Sequence, residues 1–494
     1  MTEAILAIDL GTSSIKALLL DRQGTVIARD RVPHATVRPT PDAAEQDPHK
    51  WWTNARQIIG RLAAAHSPQV RISAISVTGQ MHGLVLHDQQ NQPLRNAITW
   101  QDRRRAATLS DLLGRLPPDH HARADSSIAP GYQVASWHWL CANHAELAKR
   151  TRRILLPKDE IVFRLTGRHV TDPSDAVGTG LFDVTTSGWD LPVVEAARIP
   201  ANSLPDIVPS GSVVGAMLPE IAADLGLEPR IPIIIAGGDA AVAAFGAGVV
   251  RPEQPLLMLS TGCQLLQPLD LLPSSPSHQD VFWPSAIPAG LPEWIRVGAT
   301  LNGGITIDWA HRTFASASHG NERESRSRSN EECPVFIPYL HGERAPVSAT
   351  SGSGAFVGLA SRHDVDGMLQ AAIDGVTLGV ADLSERVGIE IGIDQPLRVG
   401  GGGVRNHRWL EAIATIFARP LNVITEPGLS ACGAARSAAT TLGWIDPVAE
   451  PDCWLPRMVR ISPDRSDPDA ARARLETFRR IANGISNLTR DQQR

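Results

Sequence analysis

A chain of 494 residues is longer than one hydrophobic core accommodates, so it is expected to divide into domains. Apolar residues make up 43% and charged residues 20%, which excludes a disordered or fibrous class, and a net charge of −5 without a basic stripe excludes broad nucleic-acid binding. Five scattered cysteines form no CxxC pair, and there is no basic leader and no apolar run of about 18 residues. Neither a zinc cluster nor a disulfide framework is expected, and the expected setting is cytoplasmic, with no membrane partner.

The first apolar run, Ala4–Ile8, has strand length and ends in "DLGTSS", where Asp9 opens a small polar turn. Trp51 to Ala65 reads as a helix with Ile58, Ile59 and Leu62 on one face. Strand-like runs follow at Ile72–Val77 and Ile231–Ala236, the latter leading through Gly237-Gly238-Asp239 into an alanine-rich helix. Glycine and proline near Gly246–Glu253 mark a boundary, giving expected domains at 1–247 and 248–494. Beyond it come a strand at Leu256–Leu259, a polar exposed loop at Ser316–Glu332, and a helix from Leu369 to Val387 that aligns Ile373, Val376, Val380 and Leu383. Another strand follows at Leu397–Val399. Strands alternating with helices indicate an α/β protein. "AIDLGTSS" is echoed by "MLSTGCQ" at Met258–Gln264, an apolar strand ending in a small-residue turn without the aspartate.

Several motifs carry chemistry, each with a plainer structural reading beside it. In the Asp9 turn, small residues let backbone N–H groups approach phosphate oxygens, Thr12 and Ser13 add hydroxyls, and a carboxylate can orient a hydrated Mg²⁺. The same residues also make an ordinary hairpin turn. Asp239 stands between a strand end and a helix start, where the helix dipole favours its charged form and a carboxylate can take a proton from an attacking alcohol. Asp is also a preferred helix cap. "VTGQMHGLVL" displays Gln80, Met81 and His82 at a strand end. Two of these side chains suit sugar hydroxyls and Met81 suits a carbon skeleton. "ITWQDRR" adds Trp100, Gln101, Asp102 and Arg103, which fit either polyol contacts or a surface ion pair. Neither a GxxxxGK[ST] loop nor an HRD loop is present, which excludes P-loop and protein-kinase phosphoryl transfer.

Taken in order, "AIDLGTSSIKALLLD", "EQDPHKWW", "GQMHGLVLHD", "LLPKDEIVFRLTG", "DPSDAVGTGLFDV", "AGGDAA", "FIPYLHGERAP", "GGGVRNHRWLEAIA" and "GAARSAA" resemble the FGGY family of carbohydrate kinases, most closely its xylulokinase branch. The resemblance runs from residue 4 to about 440. It implies two actin-like ATPase (ribonuclease H-like) domains flanking a deep cleft, with the sugar site and catalytic Asp in the first and the adenosine side in the second. It also implies ATP and Mg²⁺ as cofactors and phosphorylation of a primary hydroxyl of a small ketose, D-xylulose to D-xylulose 5-phosphate. By resemblance, Asp239 is the catalytic base and Asp9 the metal-side carboxylate acting through water. Met81-His82 contact the sugar, with Gln80, Trp100 and Asp102 beside them. Gly11, Thr12 and Ser13 hold phosphate, as do Ser260, Thr261 and Gly262. Gly401, Gly402 and Gly403 with Asn406 form the adenosine-side turn, and Trp309 falls near the nucleotide. Family members are often dimers, so a homodimer is expected.

The chain departs from the family pattern at Ala240, usually Asn, at Ser136, usually Lys, at Gln101 in place of Asn, and at Cys263 in the second phosphate turn. These departures leave open another ketose or polyol (ribulose, a tetritol, a deoxy sugar) and a non-catalytic sugar- or nucleotide-binding relative.

Overall fold

The computed structural model describes residues 1–116, 128, 131–273, 281–288, 292–315, 333–343, 352–389, 391, 395–426, 428–448, 452–463 and 467–491. The polar stretch 316–332 lies outside the described residues. Internal packing divides the chain into two compact units. One comprises Met1–Val250, Asp270–Ile295 and Gly428–Pro456, and the other Arg251–Leu269, Arg296–Pro427 and Arg457–Arg494. The first crossing falls close to the expected boundary at 247/248, but a single cut does not divide the chain, because two later segments return to the first unit. Their contacts are long-range, and local composition carries no trace of them.

In the first unit, strands β1 (Thr2–Leu10), β2 (Ser14–Asp21), β3 (Val26–Pro33), β4 (Val70–Gly79), β5 (Val213–Ala216) and β6 (Pro232–Gly238) form one sheet in the order β5-β6-β4-β1-β2-β3. β1, β4 and β6 run parallel, and β2, β3 and β5 pair antiparallel with their neighbours. Ala4 through Leu10 are all buried, the unbroken apolar pattern of a strand covered on both faces. Helix α1 (Pro48–His66) starts where Asp47 accepts the His49 N–H at 2.9 Å and Pro48 occupies the first turn. Its Trp51, Ala55, Ile58, Ile59 and Leu62 pack with Leu6, Ile8, Ile75, Val77, Ile233 and Ile235 into one core. Helices α2 (Pro157–Thr166) and α3 (Asp239–Gly246) lie in the same unit. A separate apolar cluster, including Leu84, Leu86, Ile98, Val134, Trp137 and Ile154, supports the segment that follows β4.

The second unit repeats this arrangement. Strands β7 (Leu256–Leu259), β8 (Cys263–Leu269), β9 (Trp294–Thr300), β10 (Leu397–Gly400), β11 (Leu421–Ile424) and β12 (Met458–Ile461) follow the order β9-β8-β7-β10-β11-β12. β7 and β8 form an antiparallel hairpin, β7, β10 and β11 are parallel, and β12 closes antiparallel, as β5 does in the first unit. The short sequence echo therefore marks a shared topology. Helices α4 (Gly304–Ala315), α5 (Val365–Arg386), α6 (His407–Ile416) and α7 (Pro468–Asp491) belong here. Ile373, Val376, Val380 and Leu383 of α5 are buried against Leu257, Leu259 and Val399, as the helical spacing predicts. Among the described residues no helix is long and apolar enough to cross a membrane.

The Leu429–Thr441 helix docks on α3 at backbone contact. A Cβ on Gly433 would stand 1.9 Å from the Val242 carbonyl oxygen, and one on Gly246 would stand 2.3 Å from that of Leu429. Overpacking of this kind costs about 1–3 kcal/mol. Gly433→Ala is therefore expected to destabilise the protein by about 2 kcal/mol in denaturant melts, and an unchanged midpoint would contradict the close docking.

Candidate active site

The site grows from a register. In the parallel strands, Asp9 pairs with Thr78, Thr78 with Gly237, and Gly79 with Gly238. The ends of β1 and β6 are thus level, two strand spacings or roughly 9.5 Å apart. Thr78 Oγ1 donates to the Gly237 carbonyl at 2.7 Å, and Gly237 holds φ +139°, a conformation that admits a turn without a side-chain penalty. Asp239 is the next residue but one and opens α3.

Asp239 is half-buried. Burial first, then the nearby Asp9 charge, pushes its carboxyl up to about 7, while the Ala240 N–H and the Lys16 charge pull the other way. Asp9 is only 3% exposed, and burial raises its carboxyl too, opposed by Lys16. Lys16 pairs with Asp9 across the β1–β2 hairpin and places its Nζ 3.5 Å from Asp9 Oδ2. Lys16 stands symmetrically across the turn from Asp9.

The Gly11–Ser13 turn closes through the Gly11 N–H to Ser14 O at 3.1 Å and leaves Ser13 exposed. Thr12 Oγ1 accepts the Trp100 indole N–H at 3.1 Å, and the Thr12 carbonyl accepts Gln46 Nε2 at 2.7 Å. Gln46 Oε1 in turn accepts Gln80 Nε2 at 2.9 Å and Trp51 Nε1 at 3.1 Å. A buried glutamine pair therefore ties the turn after β1 to the turn after β4. Among the described residues, Gln80 Oε1 is buried without a hydrogen-bond partner. Met81 is buried against the end of β6, where a Cβ on Gly238 would lie 3.1 Å from its Sδ. His82 has φ +68°, stacks on Tyr132 at 4.8 Å and 9°, and sets Nδ1 2.7 Å from the Gly178 carbonyl. Nδ1 therefore carries a proton that it donates to that carbonyl. Asp9, Thr12, Gln80, Met81, His82, Trp100 and Asp239 are thus gathered at adjoining strand ends of one unit. Gln46 and Tyr132 join them, and only folding brings these two in.

Other expected site residues have structural partners. Asp102 accepts the Ala44 N–H at 2.9 Å and Arg104 Nη2 at 2.6 Å on one oxygen, and the Arg104 N–H at 3.1 Å on the other. Arg104 also reaches Glu45 at 2.7 Å, so Asp102 and Glu45 share one guanidinium and Asp102 braces the Ala44 backbone. In the second unit, Ser260 Oγ donates to Gly262 O at 2.8 Å, Thr261 is exposed, and a Cβ on Gly262 would fall 2.1 Å from Thr300 O. Gly401, at φ +94°, packs on the end of β7, where a Cβ would meet Leu259 O at 2.4 Å. Gly402 faces open space. Asn406 caps α6 by accepting the Trp409 N–H at 3.1 Å. Trp309 stacks on Phe336 at 6.0 Å and 12°, within an apolar cluster that includes Phe314 and Phe356, so its partners are core side chains. Glu343, which the sequence reading left without a role, accepts the Leu301 N–H at 2.8 Å and Asn302 Nδ2 at 3.1 Å. It thereby holds the segment that folds over the 260–262 turn.

Comparison with known proteins decides what kind of site this is. The N-terminal domain model of the FGGY family of carbohydrate kinases matches residues 4–246, and its C-terminal domain model matches residues 271–442. The chain belongs to the FGGY family of carbohydrate kinases. It is 31% identical over 482 residues to the xylulose kinase of Escherichia coli (strain K12), covering 96% of this chain and 98% of that protein. The structure of a xylulose kinase from Rhodospirillum rubrum matches at a TM-score of 0.86 and 25% identity, covering 98% of this chain and 99% of that one. A gluconate kinase from Lactobacillus acidophilus reaches the same TM-score at 23% identity over 98% and 99% of the two chains. The fold alone, then, does not select the sugar.

The electrostatics give this FGGY kinase a pH signature. A reaction that needs the Asp239 carboxylate loses rate as pH falls through about 7, close to tenfold per unit below it. Lys16→Met removes a charge that favours ionisation and moves that limb to higher pH. A kcat/KM profile tests both statements, and a limb near pH 4 in the wild type contradicts them.

Proposed function

We propose that this kinase transfers the γ-phosphoryl group of ATP to the primary hydroxyl of a small ketose, converting D-xylulose to D-xylulose 5-phosphate. Asp239 carries the reading: a half-buried carboxyl at the end of a parallel strand, pushed up to about 7 and following Gly238, which packs on Met81. A base poised near neutral pH accepts the hydroxyl proton as the oxygen attacks phosphorus. Gln80 Oε1 is a buried acceptor suited to a sugar hydroxyl, His82 offers imidazole nitrogen, and Met81 supplies apolar contact. Thr12, Ser13 and the N–H groups of their turn suit phosphate oxygens, and Thr261, Gly262, Gly401 and Gly402 suit the nucleotide. The choice of D-xylulose is supported by likeness along nearly the whole length of a xylulose kinase.

Among the described residues, no group of three or more His, Cys, Asp and Glu side chains is placed to hold a metal. Asp9 is a buried carboxylate whose ionisation burial opposes, and it fits one side of a hydrated Mg²⁺ whose remaining ligands are water and phosphate. When bound, such an ion neutralises charge on the transferring phosphate.

One observation favours a second reading, a kinase for another ketose or polyol. Ala240 offers only its backbone N–H, which serves Asp239, where the family usually has an amide side chain. A panel of D-xylulose, D-ribulose, a tetritol, a deoxy ketose and gluconate, followed by coupled ADP release, separates the two readings. The highest kcat/KM is expected on D-xylulose, and a preference for another sugar would replace that assignment. Asp239→Ala is expected to lower kcat by about 10²–10⁴-fold. A folded Asp239→Ala variant at near wild-type rate on the preferred sugar would remove the base from the mechanism.

A further inference from the structure

Lys158 of α2 has no solvent exposure, and its Nζ lies 2.6 Å from Asp159 Oδ1, 2.9 Å from Asp172 Oδ1 and 3.0 Å from Asp175 Oδ2. All three carboxyls are fully buried. Gathering one cation and three acids away from water is a poor route to stability, and such clusters persist where they specify a geometry. Two of the acids retain a raised affinity for a proton through burial, Asp175 most strongly, which moderates the charge.

The cluster extends in one direction. Asp172 Oδ2 accepts the Ser174 N–H at 3.0 Å, the Ser174 hydroxyl at 2.5 Å and the Ser210 hydroxyl at 2.8 Å. Because its proton points to Asp172, Ser174 Oγ presents its lone pairs outward and accepts the Gly238 N–H at 3.0 Å. Gly238 immediately precedes Asp239. The fit leaves no slack, since a Cβ on Gly237 would stand 2.5 Å from Ser174 Oγ and one on Gly238 3.1 Å from Ser174 O. A capping role for Asp172 on the short Pro173–Ala176 helix explains its bond to the Ser174 N–H. It does not explain why the hydroxyl is spent on a strand end 64 residues away.

We propose that Asp172, acting through Ser174, is a positioning residue that fixes the Gly237–Gly238 turn and thereby aims the Asp239 carboxylate at the reacting hydroxyl. The proposal rests on the reading of Asp239 as the base. Lys158 anchors the charged end of the relay and Gly238 N–H is its working end. Misplacing a reacting group by about 1 Å costs on the order of 10²-fold in rate while binding groups elsewhere stay in place.

Ser210 provides the control, because its hydroxyl donates to the same Asp172 oxygen and, among the described residues, no hydrogen bond joins that hydroxyl to the Gly237–Gly238 turn. Steady-state kinetics and thermal melts of Ser174→Ala, Ser210→Ala, Asp172→Asn and Asp239→Asn, on the full chain with ATP and the preferred sugar, test the proposal. Ser174→Ala is expected to lower kcat by about tenfold or more with KM for both substrates within about twofold. Ser210→Ala is expected to keep kcat within about twofold while losing comparable melting temperature. Asp172→Asn gives the same kcat loss as Ser174→Ala and serves as the readout if that variant is insoluble. Wild-type kcat in Ser174→Ala, or an equal loss in Ser210→Ala, overturns the proposal. If Asp239→Asn is inactive while Ser174→Ala is not impaired, the positioning role alone fails; if Asp239→Asn is fully active, the base reading fails and takes the positioning role with it.

Discussion

The register of three parallel strands is the constraint on which the rest depends. Because Asp9, Thr78 and Gly237 share one level across β1, β4 and β6, the loops that leave these strands emerge side by side. One strand end supplies the phosphate-type turn, the next the Gln80–His82 turn, and the third the Asp239 carboxyl. In open α/β sheets, ligands bind at the carboxyl ends of the strands, and the candidate site lies at those ends of β1, β4 and β6. Both acids belong to the first unit, so their spacing is set by hydrogen-bond registry within one sheet.

Electrostatics exploits that placement. Two carboxyls two strands apart, one buried and one half-buried, do not ionise independently, and the one without an ion pair to Lys16 is pushed up to about 7. The chain has only four lysines, Lys16, Lys50, Lys149 and Lys158, and two of them serve this region. Lys16 moderates Asp9, and Lys158 anchors the relay beneath Asp239. The second unit repeats the hairpin without an acid, since Met258 pairs with Gln264 where Asp9 pairs with Lys16. The duplicated topology thus carries the two buried or half-buried acids on one copy only, while both copies keep small-residue turns.

Much of this was legible in the sequence because central strands buried on both faces read as plain apolar runs, and amphipathic helices as a 3.6-residue stripe. Asp239 was legible from Gly-Gly-Asp between a strand and a helix. What stayed hidden depended on distant partners. Asp102 was read as a polyol contact or an ion-pair member, and its actual partners, Arg104 and the Ala44 N–H, come from the fold. Trp309, half-buried, stacks on Phe336 and meets Phe314 edge-on, partners that local sequence does not announce. Asn406 followed its ordinary local preference as a helix cap, a reading the glycine turn beside it obscured. Ser174 has no local peculiarity at all; its meaning comes from Gly238, which only the fold brings near. The return of the Leu429–Thr441 helix to the first unit was hidden for the same reason.

Carboxyl ¹³C NMR titration of Asp239, assigned through Asp239→Asn and repeated in Asp9→Asn, is the most direct test of the coupled acids at these strand ends. The account predicts a midpoint near 7 in the wild type and a lower one once the Asp9 charge is gone. A wild-type midpoint in the ordinary aspartate range, or one that Asp9→Asn leaves in place, would contradict it.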